Sequence, residues 1–244
     1  MEYYPEFQVF VKYASQRESV AKAVAALDLG PPGSEAFTFV DVGSNDGHLT
    51  GEALGSLRER FGEVRTYAFE PDVKSYLKLA ARFALDPDTQ VDRLDFNGWL
   101  EKYREELAGQ VDLLLNSHTF YHFPPETWGR LFSQSSGLLS QAGKHLVVME
   151  SDKTSIIKLK PRVDERGVKL TTDIYGEYRV SSEIEAFLHS EGLPYEHMLI
   201  EEPIRIPANQ NAQLNLARLL GFVYRCSGDD LLEKTEDILA GFLS

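Results

Sequence analysis

The 244-residue chain is poor in several things, and each shortage removes a class of answers. Cysteine occurs once, at Cys226. A single thiol gives no disulfide framework within the chain and no Cys/His zinc cluster. In its helix-like surroundings Cys226 reads as inert packing. Positive charge is scarce too: 25 Lys and Arg stand against 38 Asp and Glu, a net charge of −13. An acidic surface without a basic stripe argues against nucleic acid and suits small cationic or zwitterionic molecules better. No apolar run approaches the roughly 20 residues that span a bilayer. The opening MEYYPEFQVFVKYASQRE carries Glu2 and Glu6 and no long apolar core, so it does not read as a signal peptide. Internal repeats and low-complexity tracts are lacking. The expectation is a cytoplasmic protein, monomer or homodimer, with no membrane partner and no metal.

What the chain does have is alternation. Residues 4–28 carry helical periodicity through Phe7, Phe10, Val11, Val20, Val24 and Leu27, with GPPG at 30–33 as a hinge. Then strands and helices follow in turn. Strands are expected at 37–42, 64–70, 89–95, 111–118 and 144–151, and helices at 49–61, 73–85, 98–107 and 125–139. Short connections between such elements predict an α/β fold, a Rossmann-like, doubly wound, mostly parallel sheet. VDLLLN and HLVVM are continuous apolar runs, as strands buried on both faces require. After residue 152 the pattern loosens. A helix capped by Ser181 or Ser182 with Glu185 behind it, a sixth strand at 195–206 and a tail of two helices are expected. The domain reading is an N-terminal helical lid at 1–33 and a Rossmann-like domain at 34–244, with substrate-side insertions at about 152–180 and 207–244. The polar cluster Asn209, Gln210, Asn211 and Gln213 reads as a helix cap, with binding of an amino-acid head group as the alternative.

In open parallel sheets ligands bind beyond the carboxyl ends of the strands. The first end is Asp41-x-Gly43-Ser44-Asn45-Asp46-Gly47. Glycine permits positive φ and close backbone approach, and Asn is the next best residue there. The second end carries Glu70-Pro71, a little over 20 residues on, where an acid can grip ribose hydroxyls. The third carries Asp95-Phe96, a carboxylate for an exocyclic amine and a ring to stack on adenine. The fourth, Asn116-Ser117-His118-Thr119-Phe120-Tyr121-His122, is unusually polar and aromatic. The spacing departs from the Gly-x-Gly-x-x-Gly dinucleotide pattern, and Asp41 and Asp46 would repel a pyrophosphate. They suit a ligand with an ammonium or sulfonium, which points to S-adenosylmethionine rather than a nicotinamide dinucleotide.

DVGSNDG, AFEPD and LDF, in this order and spacing, resemble the class I S-adenosylmethionine-dependent methyltransferases over roughly residues 37–151. The resemblance implies that Asp41, Gly43, Ser44, Asn45 and Gly47 line the methionine end and that Glu70 and Pro71 meet the ribose. It places Asp95 and Phe96 at adenine, and Asn116 and Ser117 near the sulfonium. More loosely, the aromatic N-terminal helix, Glu70-Pro71, Tyr121-His122, the 182–192 helix and the helical tail are similar in layout to the histamine N-methyltransferase group, which methylates small amines. That group finishes with a seventh strand, for which this sequence offers no candidate after its tail helices.

The expected function is transfer of a methyl group from S-adenosylmethionine to a small molecule, an amine or amino-acid-like acceptor, in a biosynthetic role. Tyr121, His118 and Asn116 are the candidate catalytic residues. Tyr4, Phe7, Tyr13, Tyr121, His122, Glu150 and Tyr175 are the candidate acceptor-side residues, with the N-terminal tyrosines as a lid. The alternative is a cyclase. In it the cofactor's own amino group displaces methylthioadenosine and closes a small ring of the azetidine-2-carboxylate type. A third reading is a binding module that keeps the turn for structure alone.

Overall fold

The computed structural model describes residues 9, 12, 13, 16–31, 36–168, 179–200, 204–206, 209, 211–224 and 226–243. The candidate residues Tyr4, Phe7 and Tyr175 lie outside them. Helix α1 spans Gln16–Ala26, and the alternating region follows as β1 (Phe37–Val42), α2 (His48–Phe61), β2 (Val64–Phe69), α3 (Val73–Phe83), β3 (Thr89–Asp92), α4 (Phe96–Tyr103), β4 (Val111–Ser117), α5 (Trp128–Leu138) and β5 (Leu139–Val148). The five strands form one parallel sheet in the order β3-β2-β1-β4-β5. This is the α/β, Rossmann-like architecture expected from the alternation.

Every residue of β1 is buried, so both faces of the sheet are covered. On one face Phe37, Phe39, Leu113 and Leu115 pack with Val20 and Val24 of α1, Leu54 and Leu57 of α2, and Leu79 and Phe83 of α3. The other face is aromatic. Phe69 stacks on Trp99 of α4 with ring centroids 4.8 Å apart, and Tyr67 meets Tyr103 edge-on at 5.1 Å. At the amino end of the sheet Asp112 joins three strands: its carboxylate accepts from Thr38 N at 2.9 Å and from Ser140 Oγ at 2.8 Å.

Several boundaries move. β5 begins at Leu139, five residues before its apolar run, through a bulge in which Val111 pairs with Leu139 but Leu113 with Lys144. The sheet residues pack α1 into their own core, and the chain divides into two compact units after Gln16 and after Met149. One unit is 17–149. The other comprises 1–16 and 150–244.

The second unit contains α6 (Ser155–Asp164), α7 (Ser181–Ser190), α8 (Ala212–Tyr224) and α9 (Gly228–Leu243). Its core is built from Ile156, Leu159 and Val163 of α6, Leu216, Leu219 and Leu220 of α8, and Leu231 and Leu239 of α9. The Tyr224 hydroxyl donates to Ile156 O. The cap of α7 differs from expectation: the helix starts at Ser181, and Glu183 reaches back to accept from Val180 N at 3.1 Å. Asn209 Oδ1 accepts from Asn211 N at 2.9 Å, in keeping with the capping role read from that polar cluster. The sixth strand is not found among the described residues. Residues 195–200 have no regular structure, and Tyr195, Met198 and Leu199 are exposed rather than laid against a sheet. Ile204 alone makes a bridge. Among the described residues, no helix is long and apolar enough to cross a membrane.

Candidate functional site

The strand order reverses between β1 and β4, and the carboxyl ends there form the crevice in which doubly wound sheets bind ligands. β1 leaves the sheet through a turn with three residues at positive φ: Gly43 at 69°, Asn45 at 51° and Gly47 at 73°. Gly43 N and Ser44 N both donate to Phe69 O at 3.0 Å, and Gly47 N donates to Ser44 O at 2.9 Å. Asn45 occupies the left-handed region that its side chain tolerates better than most. The two glycines are also demanded by packing. A Cβ on Gly43 would lie 2.5 Å from Thr119 Cγ2, and one on Gly47 would lie 2.6 Å from Leu79 Cδ1.

Glu70 holds this turn from β2. Its carboxylate accepts from Asn45 N at 3.0 Å and from Asp72 N at 2.9 Å, and burial to 9% exposure raises its pKa. Asp41, only 2% exposed, accepts from Thr50 Oγ1 at 2.5 Å. Desolvation pushes its pKa up to about 6, against the hydrogen bonds from Thr50 and Ser44 and with a smaller contribution from Glu70. Asp46 is different. It is paired with Arg17 at 3.1 Å, and Arg82 Nε donates to its backbone carbonyl at 3.1 Å. The expectation that Asp46 repels an anion is therefore weakened, because two guanidinium groups stand beside it. The electrostatic case against pyrophosphate falls on Asp41 and Glu70.

Asp95 caps α4, accepting from Gly98 N at 2.8 Å while remaining exposed. Phe96 is buried, with its ring 6.4 Å from Phe69 and 6.0 Å from Phe123, so its contact surface is largely taken by other rings. Pro71 is exposed.

Beyond β4, His118 adopts φ 55°, and its Nδ1 lies 3.1 Å from the Tyr121 hydroxyl. Its Nε2 is buried and has no hydrogen-bond partner among the described residues. Burial lowers the His118 pKa to about 4, so the ring is neutral at pH 7. Asn116, 1% exposed, spends its side chain internally: Nδ2 donates to Thr119 Oγ1 at 2.8 Å, and Oδ1 lies 2.7 Å from His145 Nε2. Ser117 ends β4, and His122 closes a short 3-10 turn over Phe120–His122. Tyr13 and Glu150 belong to the second unit. Tyr13 packs at the edge of its core, and burial raises the Glu150 pKa.

No family model and no curated protein matches the sequence. Solved structures do match. One is a chain of the complex between the Haloferax volcanii Trm112 methyltransferase activator and a candidate methyltransferase. It is 18% identical, with 90% of this chain and 84% of that chain covered and a TM-score of 0.53. The mitomycin 7-O-methyltransferase is 18% identical over 72% of this chain and 48% of that chain, at a TM-score of 0.50. An O-methyltransferase family protein from Burkholderia thailandensis is 14% identical over 76% and 53%, also at 0.50. The chain shares its fold with methyltransferases. It spans about half the length of the latter two.

Within this methyltransferase fold, four residues that sequence reasoning passed over take part in holding the candidate site. Thr50 meets Asp41, Arg17 meets Asp46, Thr119 meets Asn116 and fills the space beside Gly43, and His145 meets Asn116. Thr119 and His145 carried a local signal, the first within the polar segment after β4 and the second as a histidine inside the apolar run of β5.

Asp41 gives a pH-dependent expectation. Its folded pKa of about 6 lies above the model-peptide value of 3.8, so the folded state keeps a proton that the unfolded chain loses. Stability therefore falls as pH rises from about 4 to about 6, by about 3 kcal/mol in all, and the cost persists above pH 6. Asp41→Asn is expected to be more stable than wild type at pH 7.5, with most of the gain gone at pH 4. Urea unfolding at the two pH values checks this, and an equal difference at both would contradict it.

Proposed function

We propose that the protein transfers a methyl group from S-adenosylmethionine to the N–H or O–H group of a small acceptor, with an amine or amino-acid-like molecule as the leading class. The observation that carries the reading is a coincidence at one end of the sheet. The turn over Gly43–Gly47, tied down by a buried Glu70, stands at the same strand ends as a left-handed histidine whose Nε2 has no hydrogen-bond partner among the described residues. The donor set fits such a cofactor. Asp41 and Glu70 offer buried carboxyl groups to a cationic end and to hydroxyls, and Asp95 adds an exposed one.

When bound, S-adenosylmethionine supplies an electrophilic methyl carbon whose bond to sulfur breaks as the bond to the acceptor forms. The protein's part is alignment and the proton. Glu70 and Asp41 would hold the cofactor, with Asn45 keeping the turn in shape. His118 is neutral, so its Nε2 can take the acceptor's proton, and Tyr121 orients the ring from the other side. Burial makes that imidazole a weak base, which favours proton transfer in step with methylation rather than before it.

Two measurements test the reading. Titration calorimetry with S-adenosylmethionine should show saturable binding, and the labelled cofactor should methylate at least one member of a panel of small amines and amino acids. His118→Ala and Tyr121→Phe should keep cofactor affinity and lower turnover, His118→Ala by about 10²–10⁴-fold. Absence of cofactor binding would overturn the proposal. So would methylthioadenosine released from the cofactor alone.

A further inference from the structure

Two non-glycine residues among those described sit at positive φ. Asn45 has its explanation in its own chemistry and in Glu70. His118 does not, and a strained residue persists only where its surroundings over-determine it. Its backbone N donates to Val148 O on β5 at 2.9 Å, which fixes one side. The other side is fixed through the next residue. Thr119 Oγ1 accepts from Asn116 Nδ2, Thr119 O accepts from His122 N at 3.0 Å, and Thr119 Cγ2 lies against Gly43.

Asn116 is in turn set by His145. Leu114 pairs with His145 and Asn116 with Val147, so the imidazole reaches Asn116 on the same face along the diagonal between adjacent strands. The Asn116 amide nitrogen is engaged by Thr119, so its oxygen faces the ring, and His145 Nε2 carries the hydrogen between them. The His145 ring packs against Phe132, at a centroid distance of 5.4 Å, and Phe120, at 6.2 Å, which also touch each other at 5.2 Å. Burial there lowers its pKa to about 4, so a neutral ring with a single N–H donor is the working form.

We infer that His145 is a positioning residue: through Asn116 and Thr119 it holds His118 in the left-handed conformation and so sets the His118–Tyr121 pair. This deepens the methyl-transfer reading, on which its functional meaning rests. Without the donor, Asn116 keeps a buried carbonyl with no partner, and the amide can turn and release Thr119.

The test reads the histidine rings directly, with no acceptor needed. Two-bond ¹H–¹⁵N spectra of the labelled 244-residue chain should show His145 as the Nε2–H tautomer and His118 as a single tautomer. In His145→Phe, which keeps a ring and removes the donor, the His118 signals should move to averaged tautomers, and its Cα shift should lose the left-handed signature. His145→Gln can still donate and should restore the wild-type His118 spectrum. Thr119→Val breaks the relay at its other end and should reproduce the His145→Phe pattern, so the inference stays testable if His145→Phe does not fold. An unchanged His118 in a folded His145→Phe or Thr119→Val protein overturns it. So does a His145→Gln protein as disturbed as His145→Phe, since ring packing rather than donation would then be responsible. Calorimetry with S-adenosylmethionine separates the two claims. A wild type that does not bind it counts against methyl transfer, while the His118 spectra alone decide the relay.

Discussion

Gly47→Val is expected to cost about 2–5 kcal/mol of stability, from about 1–2 for a side chain in the left-handed region and about 1–3 for overpacking. The physical reason is on both sides of the residue. Its φ is 73°, and a Cβ would sit 2.6 Å from Leu79 Cδ1 and 2.9 Å from Phe83 Cε2. Leu79 is fully buried in the core that joins α3 to the sheet, so it cannot give way cheaply. A loss of that size is a large share of the roughly 5–15 kcal/mol that holds a typical domain. Gly55→Ala in α2 is the control. It has open space around it and a helical site, so it should be neutral or stabilising by up to about 1 kcal/mol. Chemical denaturation of the two variants decides. Equal effects would mean that neither the left-handed turn nor its contact with Leu79 limits stability.

Glu70→Ala is expected to raise the dissociation constant for S-adenosylmethionine at least about a hundredfold, equivalent to about 2.7 kcal/mol. Glu70 has a double task. It is the acid at the end of β2, and it is the acceptor for Asn45 N and Asp72 N. Removing it takes a carboxylate from the ligand and leaves two backbone donors to find water, at about 1–3 kcal/mol for each that stays buried. Glu70→Gln should lie between wild type and alanine, because its amide oxygen can still accept from one of them. Calorimetry at one pH on folded proteins makes the comparison, and an alanine variant with wild-type affinity would remove Glu70 from the cofactor site.

The sheet was legible in the sequence because its signals are local. A buried parallel strand is an apolar run, and FTFVDVGSNDG announces a strand and the left-handed turn into the next helix within eleven residues. Asn45 at positive φ followed from residue chemistry alone. The failures have the opposite character. The first five residues of β5, LSQAG, carry no strand signal: the expected helix runs through Leu139 and 140–143 fall to no element, because a bulge at an edge needs no apolar side chains. YEHMLI has strand propensity, but propensity supplies no neighbour to pair with, and the segment stays exposed. The polar partners of the site, Arg17 with Asp46 and His145 with Asn116, lie 29 residues apart in sequence. Pairs of that kind become visible only when the strands have been put side by side.

The seam between β1 and β4 makes the two halves of the candidate site unequal in chain entropy. The acidic half needs only near neighbours along the chain: Phe37 pairs with Val64, and the segment from Asp41 to Asp95 carries all of its carboxyl groups. The histidine half joins when Val40 meets Leu114, across a far longer loop, and closing that loop costs about 1 kcal/mol more. Asp112, bonded to β1 and β5 at the opposite end of the sheet from the chemistry, is one of the contacts that offset this difference. A carboxylate that touches no ligand thereby helps to keep His118 beside the turn it is proposed to serve.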